Sequence, residues 1–266
     1  MKKPKAIVLC GDGINCDAET AYALELAGFA PDRLHTSDFL GNPGRLFEAQ
    51  LLAIPGGFSF GDEIASGRVL ALKIKRKVSD LLHSYIHAGG LVIGICNGFQ
   101  VLVQMGLLPF SDPGAPRVVS LSRNIEGKFI NRWVELEVST SNSSPFFQSL
   151  SRIHLPIRHG EGRLCVPDNM DNKLAREIDR HTAVRYVEDV NGSYERIAGL
   201  TNRRGNVLGL MPHPEAFVRW TQHPAWVSWS HASGPPRTEV WHHPGFPDAI
   251  PDGLAILKNA YQAVVY

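Results

Sequence analysis

The chain has 266 residues, with 27 Lys and Arg against 26 Asp and Glu, so its formal net charge is +1. That length fits one large domain with a core of its own, and a charge balance so near zero gives no sign of the clustered basic surface that a nucleic-acid-binding protein needs. Four cysteines without a Cys-x-x-Cys pair, and no apolar run long enough to span a bilayer or build a signal-peptide core, predict a soluble cytoplasmic protein with no membrane partner.

Residues 5–10 form a short apolar run that stops at Gly11-Asp12-Gly13, as a strand buried on both faces does. Residues 17–28 then predict a helix, capped by Asp17, with Ala21, Leu24 and Leu26 near one side and Gly28 as its stop. A second strand, Leu51 to Ile54, breaks at Pro55-Gly56-Gly57, and a helix from Arg68 to Ala88 ends at Gly89-Gly90. The basic cluster Lys73-Ile74-Lys75-Arg76-Lys77 in that helix reads as a solvated face. Leu91-Val92-Ile93-Gly94-Ile95 is the most apolar strand, and a helix from Gly98 to Met105 follows it. Strands and helices in alternation predict an α/β fold, a mostly parallel sheet with helices on both faces, with its site at the carboxyl ends of the strands. Beyond residue 129 the chain adds antiparallel character: Ile130 to Val138 alternates apolar and polar, and strands are expected at Leu164–Val166, Thr182–Tyr186 and Val207–Leu210, with a last helix from Gly253 to Val264. The whole reads as one domain, 1–266, carrying an aperiodic, aromatic-rich insertion at about 217–252.

Gly94-Ile95-Cys96-Asn97-Gly98 joins a buried strand to a helix. This is the Gly-x-nucleophile-x-Gly elbow, with cysteine as the nucleophile. The sharp turn exposes the sulfur above the sheet, and the positive end of the following helix favours thiolate. A small core cysteine at a strand end is the alternative, and the order strand, elbow, helix argues against it. A thiol nucleophile needs a base, and the base needs an orienting group. Met211-Pro212-His213-Pro214-Glu215, after the strand 207–210, supplies both. In an extended segment His213 and Glu215 point to the same side, so the carboxylate can fix the imidazole tautomer. The acyl-transfer oxyanion needs fixed N–H donors. The backbone N–H of Asn97 is one, and Gly57 or Phe58, in Pro55-Gly56-Gly57-Phe58-Ser59-Phe60-Gly61-Asp62, supplies the other.

Together the segments 56–62, 94–100, His159-Gly160-Glu161-Gly162 and 205–215 resemble the glutaminase subunits of phosphoribosylformylglycinamidine synthases, a family of class I glutamine amidotransferases. Asn15-Cys16-Asp17 and Thr20 to Glu25 resemble the same family's start, and the resemblance covers about residues 5–215 and the last helix. It implies that Cys96 attacks the side-chain amide of glutamine, that His213 protonates the departing ammonia, and that a glutamyl thioester is then hydrolysed. It implies substrate-binding roles for Gln100 and for His159, the latter in its Arg-His-Gly-Glu-Gly loop. It also implies two protein partners: a synthetase subunit that uses ATP and Mg to amidate formylglycinamide ribonucleotide, and a small bridging subunit. The chain carries no recognisable ATP site, so no cofactor is expected in it. A glutaminase serving another synthetase is the alternative. A protease-like cysteine hydrolase would not need His-Pro-Glu, and a non-catalytic binding subunit would lack the nucleophile or the base.

Two features depart from the family. The turn after the first strand is Cys10-Gly11-Asp12-Gly13 in place of a Phe-Pro-Gly-like turn, and it reads as a plain strand-to-helix turn with no nucleotide. The insertion after Glu215 holds Trp220, Trp226, Trp229 and Trp241 with His223, His231, His242 and His243. No histidine pair in it has helical i, i+4 spacing, so no metal is expected. A loop packed on its own aromatics and a partner-docking loop are both open readings.

Overall fold

The computed structural model of the protein describes residues 2–141, 143–227 and 250–265. Its centre is a nine-stranded sheet in two parts. The first part is parallel: β2 (Ala30–His35), β1 (Lys5–Cys10), β3 (Leu51–Ile54), β4 (Leu91–Ile95) and β11 (Val207–Leu210), in that order. The second continues the sheet antiparallel through β10 (Ile197–Thr201), β9 (Thr182–Tyr186), β6 (Ile130–Val138) and β7 (Arg152–His159). A separate two-stranded ribbon pairs β5 (Ser120–Arg123) with β8 (Glu161–Cys165). The inner parallel strands β3 and β4 are buried at every residue, which is why they read as unbroken apolar runs.

Helices α1 (Asp17–Ala27) and α6 (Asp252–Val265) pack together on one face; α3 (Arg68–His87) and α4 (Asn97–Met105) pack together on the other. Two shorter helices are α2 (Thr36–Gly41) and α5 (Asn172–Arg180). Lys73, Lys75, Arg76 and Lys77 lie on the exposed face of α3 while Ile74 turns inward, so the basic cluster is a solvated helix face. Among the described residues no helix is long and apolar enough to cross a membrane.

Several local expectations are corrected. Asp17 does not cap α1: the N-cap is Cys16, without a side-chain bond, and the Asp17 carboxylate accepts from Arg33 Nε of β2 at 2.8 Å. Leu26 is exposed, because it lies two residues from Leu24 and so faces the other way round the helix. His159 is not in a loop but ends β7, and Glu161 opens β8. Strand β7 contains Pro156, which is tolerated because β7 is the last strand of the sheet and pairs on one side only.

The insertion does not begin as a free loop. Phe217 is fully buried and His223 is 5% exposed. Phe217 meets Trp133 edge-on at 5.0 Å and Trp220 at 5.5 Å, and the His223 ring lies 4.3 Å from that of Trp133. His223 Nδ1 accepts from Ala225 N–H at 3.1 Å, so Nε2 is the donor to His154 Nδ1 at 2.9 Å. This first stretch therefore packs on β6 and β7 as well as on its own aromatics. Trp229, Trp241, His231, His242 and His243 lie outside the described residues.

The buried histidines give a stability prediction. Burial lowers the pKa of His154, and lowers those of His159 and His223 to about 4. In the unfolded chain such rings titrate near about 6.5. Between those values the unfolded chain binds protons that the folded chain excludes, so stability is intact above the unfolded pKa and is lost as pH falls towards 4. Melting temperature should therefore drop progressively over that window, and His223→Gln, which keeps a donor to His154, should flatten the slope; an unchanged slope would contradict the assignment.

Candidate active site

The parallel strands β1, β3, β4 and β11 run the same way, so the segments that leave their carboxyl ends converge. Cys96 follows β4 with φ 51° and ψ −103°, a conformation that costs a non-glycine residue about 1–3 kcal/mol. The elbow is held on both sides: Cys96 N–H donates to Leu210 O of the neighbouring strand at 2.6 Å, and a Cβ at Gly98 would lie 1.8 Å from Ile54 O. Only glycine at 98 lets α4 start this close to β3.

His213 is delivered by β11 and pinned by its own N–H, which donates to Pro156 O of β7 at 2.9 Å. The expected extended His-Pro-Glu segment is instead a tight turn: His213 is the N-cap of a 3₁₀ turn over Pro214–Ala216, with proline at its first position. The turn still brings the two side chains together, with His213 Nδ1 and Glu215 Oε1 2.6 Å apart. Both are buried, at 2% and 1% exposure. The other ring nitrogen, Nε2, is buried without a hydrogen-bond partner among the described residues, and the thiols of Cys96 and Cys16 both act on the ring. Burial alone would depress the imidazole pKa, but the Glu215 charge, then Cys96 and Cys16, raise it well above its ordinary value. The arrangement therefore favours an imidazolium beside the nucleophile. Arg158 Nη2 lies 3.9 Å from Glu215 Oε1 and adds a second cation to the buried carboxylate.

The oxyanion donors sort themselves by hydrogen bonding. Phe58 N–H donates to Gly13 O at 2.9 Å and is not available, which corrects the inclusion of Phe58. That bond, with Asn15 N–H to Gly56 O, makes a small antiparallel bridge between Ile14 and Gly57, in which Gly57 N–H is left pointing away from the bridge. Asn97 is the first residue of α4, so its N–H has no helical acceptor. Gly57 and Asn97 are thus the two candidate donors.

Gln100 lines the cleft, but its amide is engaged: Oε1 accepts from Asn97 Nδ2 at 2.9 Å, and Nε2 donates to Glu161 O at 2.6 Å. It braces the walls of the site. His159 is 3% exposed and its tautomer can be assigned. Asn124 Nδ2 donates to Lys128 O and His159 O, each at 2.8 Å, so Asn124 Oδ1 accepts from His159 Nδ1 at 3.0 Å. His159 Nε2 is then a buried acceptor without a partner among the described residues.

Cys16, Asp62, Arg158 and Glu161 are among the cleft residues that were not singled out from the sequence as site residues. Asp62 and Glu161 are joined through Ser66, whose hydroxyl donates to Glu161 Oε2 at 2.6 Å. Burial, aided by the Glu161 charge, holds the Asp62 carboxyl above its usual range despite bonds from Gly67 N–H and Asn97 Nδ2. Gly-Asp and Gly-Glu-Gly were visible as motif fragments, but their meeting depends on the β7–β8 turn. Among the described residues the only cluster able to hold a metal ion is Cys16 with His213 and Glu215.

Comparison with known proteins agrees with this geometry. Residues 3–243 match the family model of the CobB/CobQ-like glutamine amidotransferase domain. The chain is 40% identical to the phosphoribosylformylglycinamidine synthase subunit PurQ of Dehalococcoides mccartyi, over 85% of this chain and 90% of that protein. It is 34% identical to the same subunit of Methanococcus maripaludis, over 97% of each. A chain of the PurLQS structure from Thermotoga maritima superposes with a TM-score of 0.70 at 35% identity, over 99% of this chain and 98% of that one. The chain belongs to the CobB/CobQ-like glutamine amidotransferases and, among them, to the PurQ subunits of phosphoribosylformylglycinamidine synthase.

Proposed function

We propose that this cleft hydrolyses glutamine to glutamate and ammonia, and that the chain works as the glutaminase subunit of phosphoribosylformylglycinamidine synthase. The observation that carries the mechanism is the order of groups at the strand ends: thiol, imidazole, buried carboxylate. The Cys96 thiolate adds to the carboxamide carbon, and the oxyanion takes the N–H groups of Asn97 and Gly57. As the carbon–nitrogen bond breaks, the His213 imidazolium gives its Nε2 proton to the departing nitrogen, leaving a glutamyl thioester and ammonia. Neutral His213 then takes a proton from water; the hydroxide oxygen bonds to the thioester carbon, the carbon–sulfur bond breaks, and glutamate leaves with the thiolate restored. Glu215 holds the ring for both transfers.

The rest of the cleft suits an amino acid. Asp62 and Glu161 give one wall a negative charge for the α-ammonium, and Arg158 offers a cation for the α-carboxylate. His159 Nε2 accepts from the carboxamide nitrogen, and Gln100 keeps the Asn97 and Glu161 walls apart by the right distance. Ammonia passes to a synthetase subunit that uses ATP and Mg to convert formylglycinamide ribonucleotide to the amidine, with a small bridging subunit in the complex. Phe58 and Phe129, 50% and 56% exposed where they line the cleft, present apolar surface for that partner. The reaction takes place in the cytoplasm.

Two experiments test this reading. With the synthetase partner, ATP and formylglycinamide ribonucleotide, wild type should support product formation from glutamine, whereas Cys96→Ala should do so only with added ammonia; glutamine-driven turnover by the variant would contradict the role of Cys96. Glu161→Gln should raise KM for glutamine roughly tenfold, the worth of one charge-assisted contact at a partly exposed site, with a smaller change in kcat. A selective fall in kcat instead would remove Glu161 from substrate binding.

A further inference from the structure

The two candidate oxyanion donors come from different segments, Asn97 from the elbow and Gly57 from the turn after β3, so their separation has to be fixed by contacts between those segments. The loop that carries Gly57 does not hold its shape unaided. Phe60, Gly61 and Asp62 follow one another in the left-handed region, with φ of 54°, 68° and 52°, where a side chain is strained. On one side the β1–α1 turn restrains the loop: Phe58 N–H donates to Gly13 O at 2.9 Å and Phe60 N–H to Asp12 O at 2.5 Å. On the side that faces the elbow, the restraint is the side chain of Asn97. This residue is 2% exposed, and its amide is fully engaged. Oδ1 accepts from Ser59 N–H at 3.1 Å, and Nδ2 donates to Asp62 Oδ1 at 3.0 Å and to Gln100 Oε1 at 2.9 Å. The orientation of the amide follows from Ser59, since a backbone N–H can only donate. The bonds continue into a closed ring. Gln100 Nε2 donates to Glu161 O at 2.6 Å, Ser66 Oγ donates to Glu161 Oε2 at 2.6 Å, and Gly67 N–H, next in the chain, donates to Asp62 Oδ1 at 3.2 Å. Both carboxylates of the cleft wall belong to that ring.

We infer that the Asn97 side chain is a positioning residue for the oxyanion hole. The backbone N–H of Asn97 supplies one donor, and its side chain sets where the loop that carries the other donor stands, in one frame with the wall that receives the substrate. Truncating the side chain leaves Ser59 N–H, in a residue 1% exposed, without its acceptor. A buried donor left unpaired is costly, so the loop shifts to satisfy it. Gly57, two residues upstream, moves with it. Binding of glutamine depends on the charges of the wall, whereas the second N–H matters most once the carbonyl oxygen carries charge. The loss therefore falls on kcat more than on KM. The nucleophile keeps its place, because the elbow is held by Leu210 O and by the close approach of Gly98 to Ile54, not by the Asn97 amide.

The kinetic consequence rests on the glutaminase reading, but the clamp on the loop does not, and the test separates them. In the full chain, Asn97→Ala should speed amide hydrogen exchange over residues 57–62 while β4 and β11 keep the protection of wild type. With the synthetase partner present, its kcat for glutamate release should fall about a hundredfold, the cost of misplacing a reacting group by roughly 1 Å, with a much smaller rise in KM. Alkylation of Cys96 by iodoacetamide, a reaction that develops no oxyanion, should keep the wild-type rate. Asn97→Asp keeps the acceptor for Ser59 N–H but sets a second carboxylate against Asp62, and should also lower kcat. Adding Asp62→Asn returns a donor to that contact and should recover part of the lost kcat, while KM stays raised because a wall charge is gone. The clamp is refuted if Asn97→Ala leaves either the exchange of 57–62 or kcat as in wild type, if alkylation of Cys96 falls in step with kcat, or if the doubly substituted chain is no faster than Asn97→Asp. Faster exchange in Asn97→Ala, with a wild type that releases no glutamate, would leave the clamp standing and remove the glutaminase reading.

Discussion

A carboxylate with no access to water must be compensated, and the site is organised around that constraint. Glu215 is 1% exposed, and its neighbours of opposite charge are His213 at 2.6 Å and, farther off, Arg158. Leaving a buried charge without a partner would cost several kcal/mol, so the protein holds His213 protonated. On the proposed mechanism, the proton that ammonia needs as it leaves is therefore already on the imidazole before substrate arrives. The same pairing leaves Nε2 as the ring nitrogen free of the carboxylate, and so determines where a transferable proton sits.

The sheet serves this pair by bringing four strand ends to one place. Parallel strands make this possible, since consecutive carboxyl ends lie side by side: the turn after β1 brings Cys16, the one after β3 brings Gly57, β4 brings Cys96 and β11 brings His213. The antiparallel part closes the cleft from the other side. Pro156 of β7 fixes the His213 backbone, and the residues that follow it, Arg158 to Glu161, line the substrate pocket. Pro156 can serve in this way because an edge strand leaves a carbonyl free to accept from outside the sheet.

What could be read in the sequence follows from this division of labour. Cys96, His213 and Glu215 were legible because each motif is local: a Gly-x-Cys-x-Gly elbow between an apolar strand and a helix, and a His-Pro-Glu triplet after another strand. Strands β3, β4 and β11 were legible because burial on both faces leaves an apolar run. Strand β2 was not, since Ala30–His35 lies at an edge and buries only Leu34. Strand β7 was hidden by Pro156 and by its mixed pattern of Arg, His and apolar residues. Cys16 was seen only as part of a helix start. Its place beside Cys96 depends on one hydrogen bond to Gly56, a contact between segments 40 residues apart that no periodicity reports. Phe58 was chosen over nothing more than a glycine turn, and the bridge between Ile14 and Gly57 decides against it.

The charge state of His213 is the link between this packing and the chemistry, and it can be observed directly. Nitrogen-15 chemical shifts of the His213 ring, followed with pH in wild type and in Glu215→Gln, would measure it in the resting enzyme. The account predicts an imidazolium in wild type that persists well above the ordinary histidine pKa and a ring that becomes neutral at markedly lower pH in the variant, because the carboxylate charge opposes the cost of burial. A His213 ring that titrates at its ordinary value in both proteins would contradict the account, and with it the claim that the proton for ammonia is stored before glutamine binds.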